Sequence, residues 1–146
     1  MLEKSLLGVV LYCLACVAGA QEVFVLGGAL RNTDSSERTF SWLMDYHHNL
    51  GEHASASLAW INEGHFEGHH RDGPAAQLWA RTRAFDDRLT FAVGVGPLAY
   101  FDTTPGPSID TSRDKHGLGI VSSMAATWNI DGPWRAQLRL CELHGE

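Results

Sequence analysis

The stretch TFSWLMDYHH, Thr39 to His48, alternates two kinds of side chain along the chain. One set consists of large apolar residues: Phe40, Trp42, Met44 and Tyr46. The other set is polar or charged: Thr39, Ser41, Asp45 and His47, with Leu43 as the exception. Because successive side chains of a β-strand point to opposite faces, the stretch predicts a strand with one apolar and one polar face.

Six further segments show the same alternation, and turn residues separate them. They are Val23–Leu30, Ala54–Ile61, Ala75–Thr82, Leu89–Tyr100, Gly117–Trp128 and Trp134–Cys141. After Gln21 no long stretch has a helical period, and no linker rich in proline or serine divides the segments. The sequence therefore predicts one all-β domain, an antiparallel up-and-down barrel with about seven strands present.

Alternation alone permits a soluble barrel with its apolar face inward or a transmembrane barrel with that face toward lipid. The predicted connections favour the membrane barrel, because long loops alternate with tight turns. The long loops are Asn32–Arg38, Asn62–Gly73 and Phe101–His116, and the turns lie at Asn49–His53, Asp86–Asp87 and Asp131–Gly132. Aromatic residues predict two interfacial girdles: Trp42, Trp60 and Tyr100 near the loops, and Phe91, Trp128 and Trp134 near the turns.

Residues 1–20 have the layout of a secretory signal peptide. Lys4 precedes an apolar run from Ser5 to Val17, and Ala18-Gly19-Ala20 supplies the small residues of a cleavage site. The run is too short for a membrane-spanning helix, which needs about 20 residues. We predict that the mature barrel domain comprises residues 21–146, in the outer membrane of a Gram-negative bacterium; a lipoprotein modified at Cys16 is the alternative.

Seven is an odd number of strands, whereas single-chain bacterial barrels normally have an even number. The seventh strand would run in the same direction as the first, so the two could not close the barrel by antiparallel pairing. We therefore expect that an eighth strand was intended and is missing at the C-terminal end, or that the strand count is wrong by one.

The sequence resembles the small eight-stranded outer-membrane barrels, and within them an uncharacterised proteobacterial family. The residues that carry the resemblance are Asn62-Glu63-Gly64-His65, His70-Arg71-Asp72-Gly73, Gln77–Thr82, Gly94-Val95-Gly96-Pro97, Tyr100-Phe101-Asp102-Thr103, His116-Gly117 and Ala125-Ala126-Thr127-Trp128. We expect a structural or surface-interaction role, with outer-membrane lipid and the barrel-insertion machinery as partners. Such barrels also include enzymes, so the fold alone does not decide the activity.

Some polar residues occupy the alternate strand positions that would face the barrel interior, and they predict a network that fills the lumen. They are Asp45, Gln77, Arg81, Arg135, Gln137 and Arg139. An eight-stranded barrel is too narrow for a pore, and buried charges must be paired. We expect ion pairs between arginine and carboxylate groups inside the barrel, in a structural role.

Two alternative functions depend on other residues or locations. A lipid A deacylase-like esterase would need a His-x-Ser pair, for which His53-Ala54-Ser55 offers the weak catalytic candidates His53 and Ser55. Their position beside a tight turn does not match the site of that family, which lies toward the outside. A soluble periplasmic barrel that binds a small apolar ligand is the other alternative.

A metal site and nucleic-acid binding have less support. His65, His69, His70 and Asp72 crowd one predicted loop, but their spacing matches no closed metal site, so we favour a solvated loop and expect no cofactor. The net charge of the 146-residue chain is −6, and its arginines are scattered, so no basic patch suggests nucleic acid.

Overall fold

The computed structural model describes residues 2–8, 21–32, 37–66, 69–104 and 113–145. Their strands are β1 (Leu2–Gly8), β2 (Gln21–Asn32), β3 (Arg38–Asn49), β4 (Ala54–Phe66), β5 (His69–Ala84), β6 (Leu89–Thr104), β7 (Arg113–Asn129) and β8 (Arg135–Gly145). Within these ranges there is no helix of sufficient length and apolar character to cross a membrane.

Each strand pairs in antiparallel fashion with its neighbours in the sequence, and β1 pairs with β8 to close the barrel. The predicted fold class, an all-β antiparallel up-and-down barrel, is confirmed. Six of the seven segments predicted from alternation lie within β2 to β7, and the seventh, Trp134–Cys141, begins one residue before β8.

Strand β1 occupies the place between β2 and β8. It pairs with β2 from Lys4↔Asn32 to Leu7↔Ala29 and with β8 along its whole length. Since β2 and β8 run in the same direction, any strand between them must be antiparallel to both. The strand belongs to the segment predicted to be a signal peptide, and residues 9–20 lie outside the described part of the chain. Cleavage before Gln21 therefore stays a prediction.

The apolar and polar faces of the strands are separated as the alternation predicts. On β3, Trp42, Met44 and Tyr46 are exposed on the outer surface, while Leu43 and Asp45 are buried inside. Such an arrangement reverses that of a soluble barrel, in which the large apolar side chains fill the interior.

Along the barrel axis, an apolar layer lies between two polar ones. The apolar layer consists of Leu26, Leu30, Leu43, Ile61, Leu98, Tyr100, Val121 and Leu143. Buried polar side chains such as Glu63 and Arg71 lie beyond it, on the side of the predicted long loops. Polar side chains form the layer toward the tight turns. Along β8, for example, the polar Gln137 and Arg139 precede the buried apolar Leu143. We call the end with the tight turns the turn end and the opposite end the loop end.

The predicted loop of twelve residues, Asn62–Gly73, is wrong. Strand β4 continues to Phe66 and β5 begins at His69, because the chain accommodates polar residues there through a β-bulge between Asn62 and His65. Gly64 takes a φ of 75° in the bulge, which favours glycine, and its N–H donates to Asn62 Oδ1 over 2.9 Å.

The predicted sixteen-residue loop is also too long, since β6 continues to Thr104 and β7 begins at Arg113. Residues 33–37, 67–68 and 105–112 connect strands at the loop end, and residues 9–20, 50–53, 85–88 and 130–134 connect them at the turn end. The long and short connections therefore do not alternate regularly. The sequence signal failed because polar strand residues beyond the apolar band resemble loop residues.

Candidate functional site in the barrel lumen

Asp45, His47 and Arg139 form a buried cluster at the centre of the polar layer. Arg139 Nη1 donates to Asp45 Oδ2 over 2.5 Å, and His47 Nε2 lies 2.7 Å from the same oxygen. The Asp45 side chain is completely buried, and that of Arg139 is 3% exposed. Strands β3 and β8 place these groups opposite each other across the lumen, so the ion pair connects two sides of the barrel.

A chain of hydrogen bonds extends from this cluster toward the turn end. Arg139 Nε donates to Gln137 Oε1 over 2.9 Å, and Gln137 Nε2 donates to Thr127 Oγ1 over 2.8 Å. The two amide atoms of Gln137 are therefore both used. The bonds fix the orientation of the Arg139 guanidinium and leave its charge directed at Asp45.

Trp79 packs against the cluster from β5. Its ring lies 5.1 Å from the His47 ring and 4.9 Å from the Arg139 guanidinium carbon, and its Nε1–H donates to Ser57 Oγ over 2.9 Å. A Cβ atom on Gly94 would overlap the indole. Glycine at that position of β6 therefore makes the room that the indole occupies.

A second polar group lies next to this cluster, nearer the loop end, on β5, β7 and β8. Gln77 Nε2 donates to Ser123 Oγ over 2.9 Å, and Ser123 Oγ lies 3.3 Å from Cys141 Sγ. Cys141 is a buried free thiol. Gln77 was predicted to belong to the lumenal network, and the structure places it inside, with Ser123 rather than an arginine as its partner.

Arg81 and Arg135 lie at the rim of the turn end rather than deep in the lumen. Arg81 donates to Asn49 Oδ1 over 2.5 Å and to the carbonyl oxygens of Gly51 and Glu52, so it holds the β3–β4 turn. Arg135 Nη1 donates to the carbonyl oxygens of Gly132 and Trp134. Of the six predicted lumenal residues, the structure joins Asp45, Gln137 and Arg139 directly.

A cavity of about 230 Å³ separates the central cluster from the rim. Its inner wall includes Phe24, His47 and Trp79. Charged and hydrogen-bonding side chains dominate the rest of the lining: Glu22, Asn49, Ser55, Arg81, Arg83, Asp87, Thr90, Thr127, Asn129, Arg135 and Gln137. Such a lining does not favour an apolar ligand.

The loop end of the lumen contains a different cluster. The Arg71 guanidinium carbon lies 4.1 Å from the centre of the Tyr100 ring, and Arg71 Nη2 lies 3.5 Å from Asp102 Oδ2. Tyr100 is only 6% exposed, so its predicted place in an outer aromatic girdle is wrong. Glycine at positions 117 and 145, against which the phenol packs, makes the interior wide enough to admit this ring.

The predicted catalytic pair is not arranged as an esterase site on the lipid-facing surface. His53 lies exposed in the β3–β4 turn, whereas Ser55 is buried in the lumen at 3% exposure. No hydrogen bond within the described part of the chain joins the two residues. The parity argument missed this difference because His53 precedes the first residue of β4, Ala54.

The histidines proposed as metal ligands are only partly described. The side chains of His65 and His69 lie outside the described residues. His70 Nδ1 lies 3.0 Å from the Gly64 carbonyl oxygen, so it supports the bulge, and Asp72 is half-buried on the same strand. Among the described residues, no three His, Cys, Asp or Glu side chains are grouped so as to hold a metal ion.

Sequence reasoning missed the roles of His47, Ser57 and Trp79 in the lumen. Inward parity on β3 and β5 was the available signal, because His47 follows Asp45 and Trp79 follows Gln77 at a spacing of two. Parity places a side chain on a face but does not identify its partner on a distant strand, such as Arg139 for Asp45.

Comparisons with known proteins add little to this description. No family model matches the chain, and no curated protein matches it. Among solved structures, the chain is similar to Ail, the attachment invasion locus protein of Yersinia pestis, with a TM-score of 0.48 and 8% sequence identity. The match covers 99% of this chain and 98% of that chain. The antiparallel pairing of the strands by itself establishes the barrel fold.

Proposed function

We propose that this chain is an outer-membrane β-barrel of a Gram-negative bacterium, with a structural or surface-interaction role. The observation that carries the proposal is the outer surface of the barrel. Large apolar side chains on that surface remain exposed, such as Leu58 and Leu78, each at 65%, and Met124 at 61%. An aqueous environment would disfavour so extensive an apolar surface, whereas lipid accommodates it.

Strand β6 shows the height of this surface. Its successive outward positions are all apolar: Phe91, Val93, Val95, Pro97, Ala99 and Phe101. The ten-residue separation between Phe91 and Phe101 corresponds to about 33 Å along a strand. Strands tilted by about 35–45° convert that length to roughly 25 Å along the barrel axis, which is the height of the apolar band in membrane barrels.

Tryptophans lie on the outer surface toward both ends of this band. Trp42 and Trp60 are exposed on the side of the loop end, and Trp128 and Trp134 are exposed beside the turn end. Aromatic side chains at two levels are typical of the interfaces between membrane and water. Their position supports a membrane-spanning orientation of the barrel.

The filled lumen supports a structural role rather than transport. The ion pair between Asp45 and Arg139 crosses the polar layer, and buried apolar side chains such as Leu43 and Val121 fill the layer beyond it. A small barrel whose interior is packed with side chains has no room for a continuous water-filled channel. We propose outer-membrane lipid and the barrel-insertion machinery as its partners.

Membrane fractionation combined with a heat-modifiability gel tests the proposed location. We expect the protein in the outer-membrane fraction, with an electrophoretic mobility that differs before and after boiling, because a closed barrel resists detergent until it is heated. Recovery in the soluble periplasmic fraction would contradict the proposal. If protein from that fraction still changed its electrophoretic mobility on boiling, the chain would form a soluble barrel instead.

A charged residue introduced on the outer surface should destabilise the barrel more when it lies deeper in the bilayer. Leu138 is 50% exposed on the outer face of β8, and Ile130 is 54% exposed in the β7–β8 turn. We expect Leu138→Arg to lower the free energy of unfolding in lipid vesicles by about 2–4 kcal/mol if Leu138 lies near the midplane. The matched control Ile130→Arg should cost about 0–1 kcal/mol, as at an interface.

Urea unfolding in vesicles, followed by tryptophan fluorescence, gives both values. Equal costs for the two arginine variants would show that the outer surface of β8 is not embedded in a bilayer.

A further inference from the structure

The cavity at the turn end is the feature of the lumen that the structural role does not explain. Packing of the side chains fills the layers above it, yet about 230 Å³ remains open between Trp79 and the rim. Sites for drug-sized molecules have volumes of about 300–1,000 Å³, so this cavity suits a smaller guest. Its lining residues stand on β2 to β8 next to the tight turns, so within the described part of the chain the cavity opens at this end.

Two arginines of the cavity have positive charges that no ion pair among the described residues neutralises. Arg81 and Arg135 donate hydrogen bonds only to neutral carbonyl or amide oxygens. No carboxylate within the described residues lies within 4.0 Å of either guanidinium. Glu22 lines the same cavity and makes no ion pair with either arginine, although its negative charge acts on Arg81 from a greater distance.

The other charged side chains of the lining do not make the cavity negative. Arg83 and Asp87 pair with each other at 3.7 Å. The cavity thus contains three arginines and two carboxylates, in a chain whose net charge is −6. Since most of the molecule repels anions, a locally positive cavity indicates a specific environment for a negative guest.

Hydroxyl groups supply further hydrogen-bond donors beside these charges. Ser55 and Thr90 line the cavity, and neither hydroxyl has a hydrogen bond to another described side chain. Guanidinium groups and hydroxyls together form the usual donor set for phosphate oxygens. Thr127 contributes less, because its oxygen accepts the hydrogen bond from Gln137.

We propose that the cavity at the turn end binds a phosphate group through Arg81 and Arg135. The phosphate belongs either to a small soluble ion or ester, or to the headgroup of a lipid in the adjacent leaflet. Arg81 on β5 and Arg135 on β8 both line the cavity and supply the positive charges, and Ser55 and Thr90 donate hydrogen bonds from the wall. The proposal goes beyond the structural role and does not depend on it.

Phosphate binding to the purified barrel tests this site. Inorganic phosphate is titrated into protein in a non-ionic, phosphate-free detergent and followed by phosphorus NMR, and phosphorus that co-purifies with the protein is measured separately. We expect either a saturable interaction with inorganic phosphate or about one lipid phosphorus per chain. The two readings distinguish a soluble guest from a lipid headgroup.

Charge-removing variants provide the matched comparison. Arg81→Gln combined with Arg135→Gln should weaken phosphate binding by about tenfold or more, or remove the co-purified phosphorus. Arg88→Gln removes one exposed positive charge from the β5–β6 turn outside the cavity, and it should leave binding within about twofold of the unaltered protein.

Equal binding by all variants would overturn the proposal, since it would indicate only a non-specific charge effect. The absence of both saturable binding and co-purified phosphorus would overturn it as well. Heat modifiability of the same samples shows whether each variant is a folded barrel. A folded barrel without phosphate binding would thus refute the site while leaving the proposed function intact.

Discussion

Replacement of Arg139 by methionine is expected to lower the free energy of unfolding by about 3–5 kcal/mol, because it leaves the carboxylate of Asp45 buried without a counter-charge. Asp45 is completely buried, and Arg139 is the one arginine or lysine among the described residues that pairs with it. His47 Nε2 lies 2.7 Å from the same oxygen, a contact that limits the cost but does not replace the guanidinium.

Urea unfolding of refolded protein in lipid vesicles measures this effect. Substitution of both members of the ion pair provides the control. Asp45→Asn combined with Arg139→Met removes both charges, and the double variant should be less destabilised than Arg139→Met alone. Arg88→Met, at an exposed position in the β5–β6 turn, should change the stability by no more than about 0.5 kcal/mol. A cost below about 1 kcal/mol for Arg139→Met would show that water or another group compensates Asp45.

A double-mutant cycle then separates the ion pair from the packing of the arginine stem. Arg139 also contacts Trp79 and Gln137, so part of the loss comes from these contacts and not from charge. The difference between the double variant and the two single variants isolates the interaction between positions 45 and 139. We expect the double variant to lose less stability than the sum of the losses of the two single variants, because each charge is costly to bury without the other.

The faces of the strands could be predicted from the sequence because alternation is a local property. Trp42 was predicted on the outer face, and Gln137 and Arg139 on the inner face, and the structure places all three accordingly. The period of two decides these positions whatever strand lies next to them.

Contacts across the lumen could not be predicted, because they depend on register and on the closure of the barrel. Asp45 and Arg139 are separated by 94 positions in the chain. Tyr100 shows a further limit, since it was assigned to the outer girdle although inward parity also places it beside buried Leu98. The room for its ring comes from Gly117 and Gly145 on neighbouring strands, which no local pattern reveals.

The strand that closes the barrel is the other point at which sequence and structure differ. The sequence predicts that residues 1–20 are removed, whereas β1 fills the place between β2 and β8. In lipid an unpaired backbone group costs several kcal/mol, so this place requires an antiparallel strand in a stable barrel. The identity of that strand in the mature protein can be determined through Cys141.

The register places Leu6 opposite Cys141 across the β1–β8 pair and Ser123 opposite Cys141 across the β7–β8 pair. Directly opposed residues of antiparallel strands lie within the range of Cα separations that a disulfide requires. Replacing Cys13 and Cys16 with alanine leaves Cys141 as the one native thiol. Two variants in this background, Leu6→Cys and Ser123→Cys, then report separately on β1 and on β7.

We expect Ser123→Cys to form a disulfide with Cys141 nearly completely under oxidising conditions, and Leu6→Cys to form none, because the signal peptide is removed before the barrel matures. Thiol labelling after unfolding measures the disulfide, and intact mass spectrometry should show a mature chain that begins at Gln21. A disulfide between position 6 and Cys141 would refute cleavage and establish β1 as a strand of the mature barrel. Without β1, the edges of β2 and β8 must pair with another antiparallel strand, since lipid offers no hydrogen bonds to either edge.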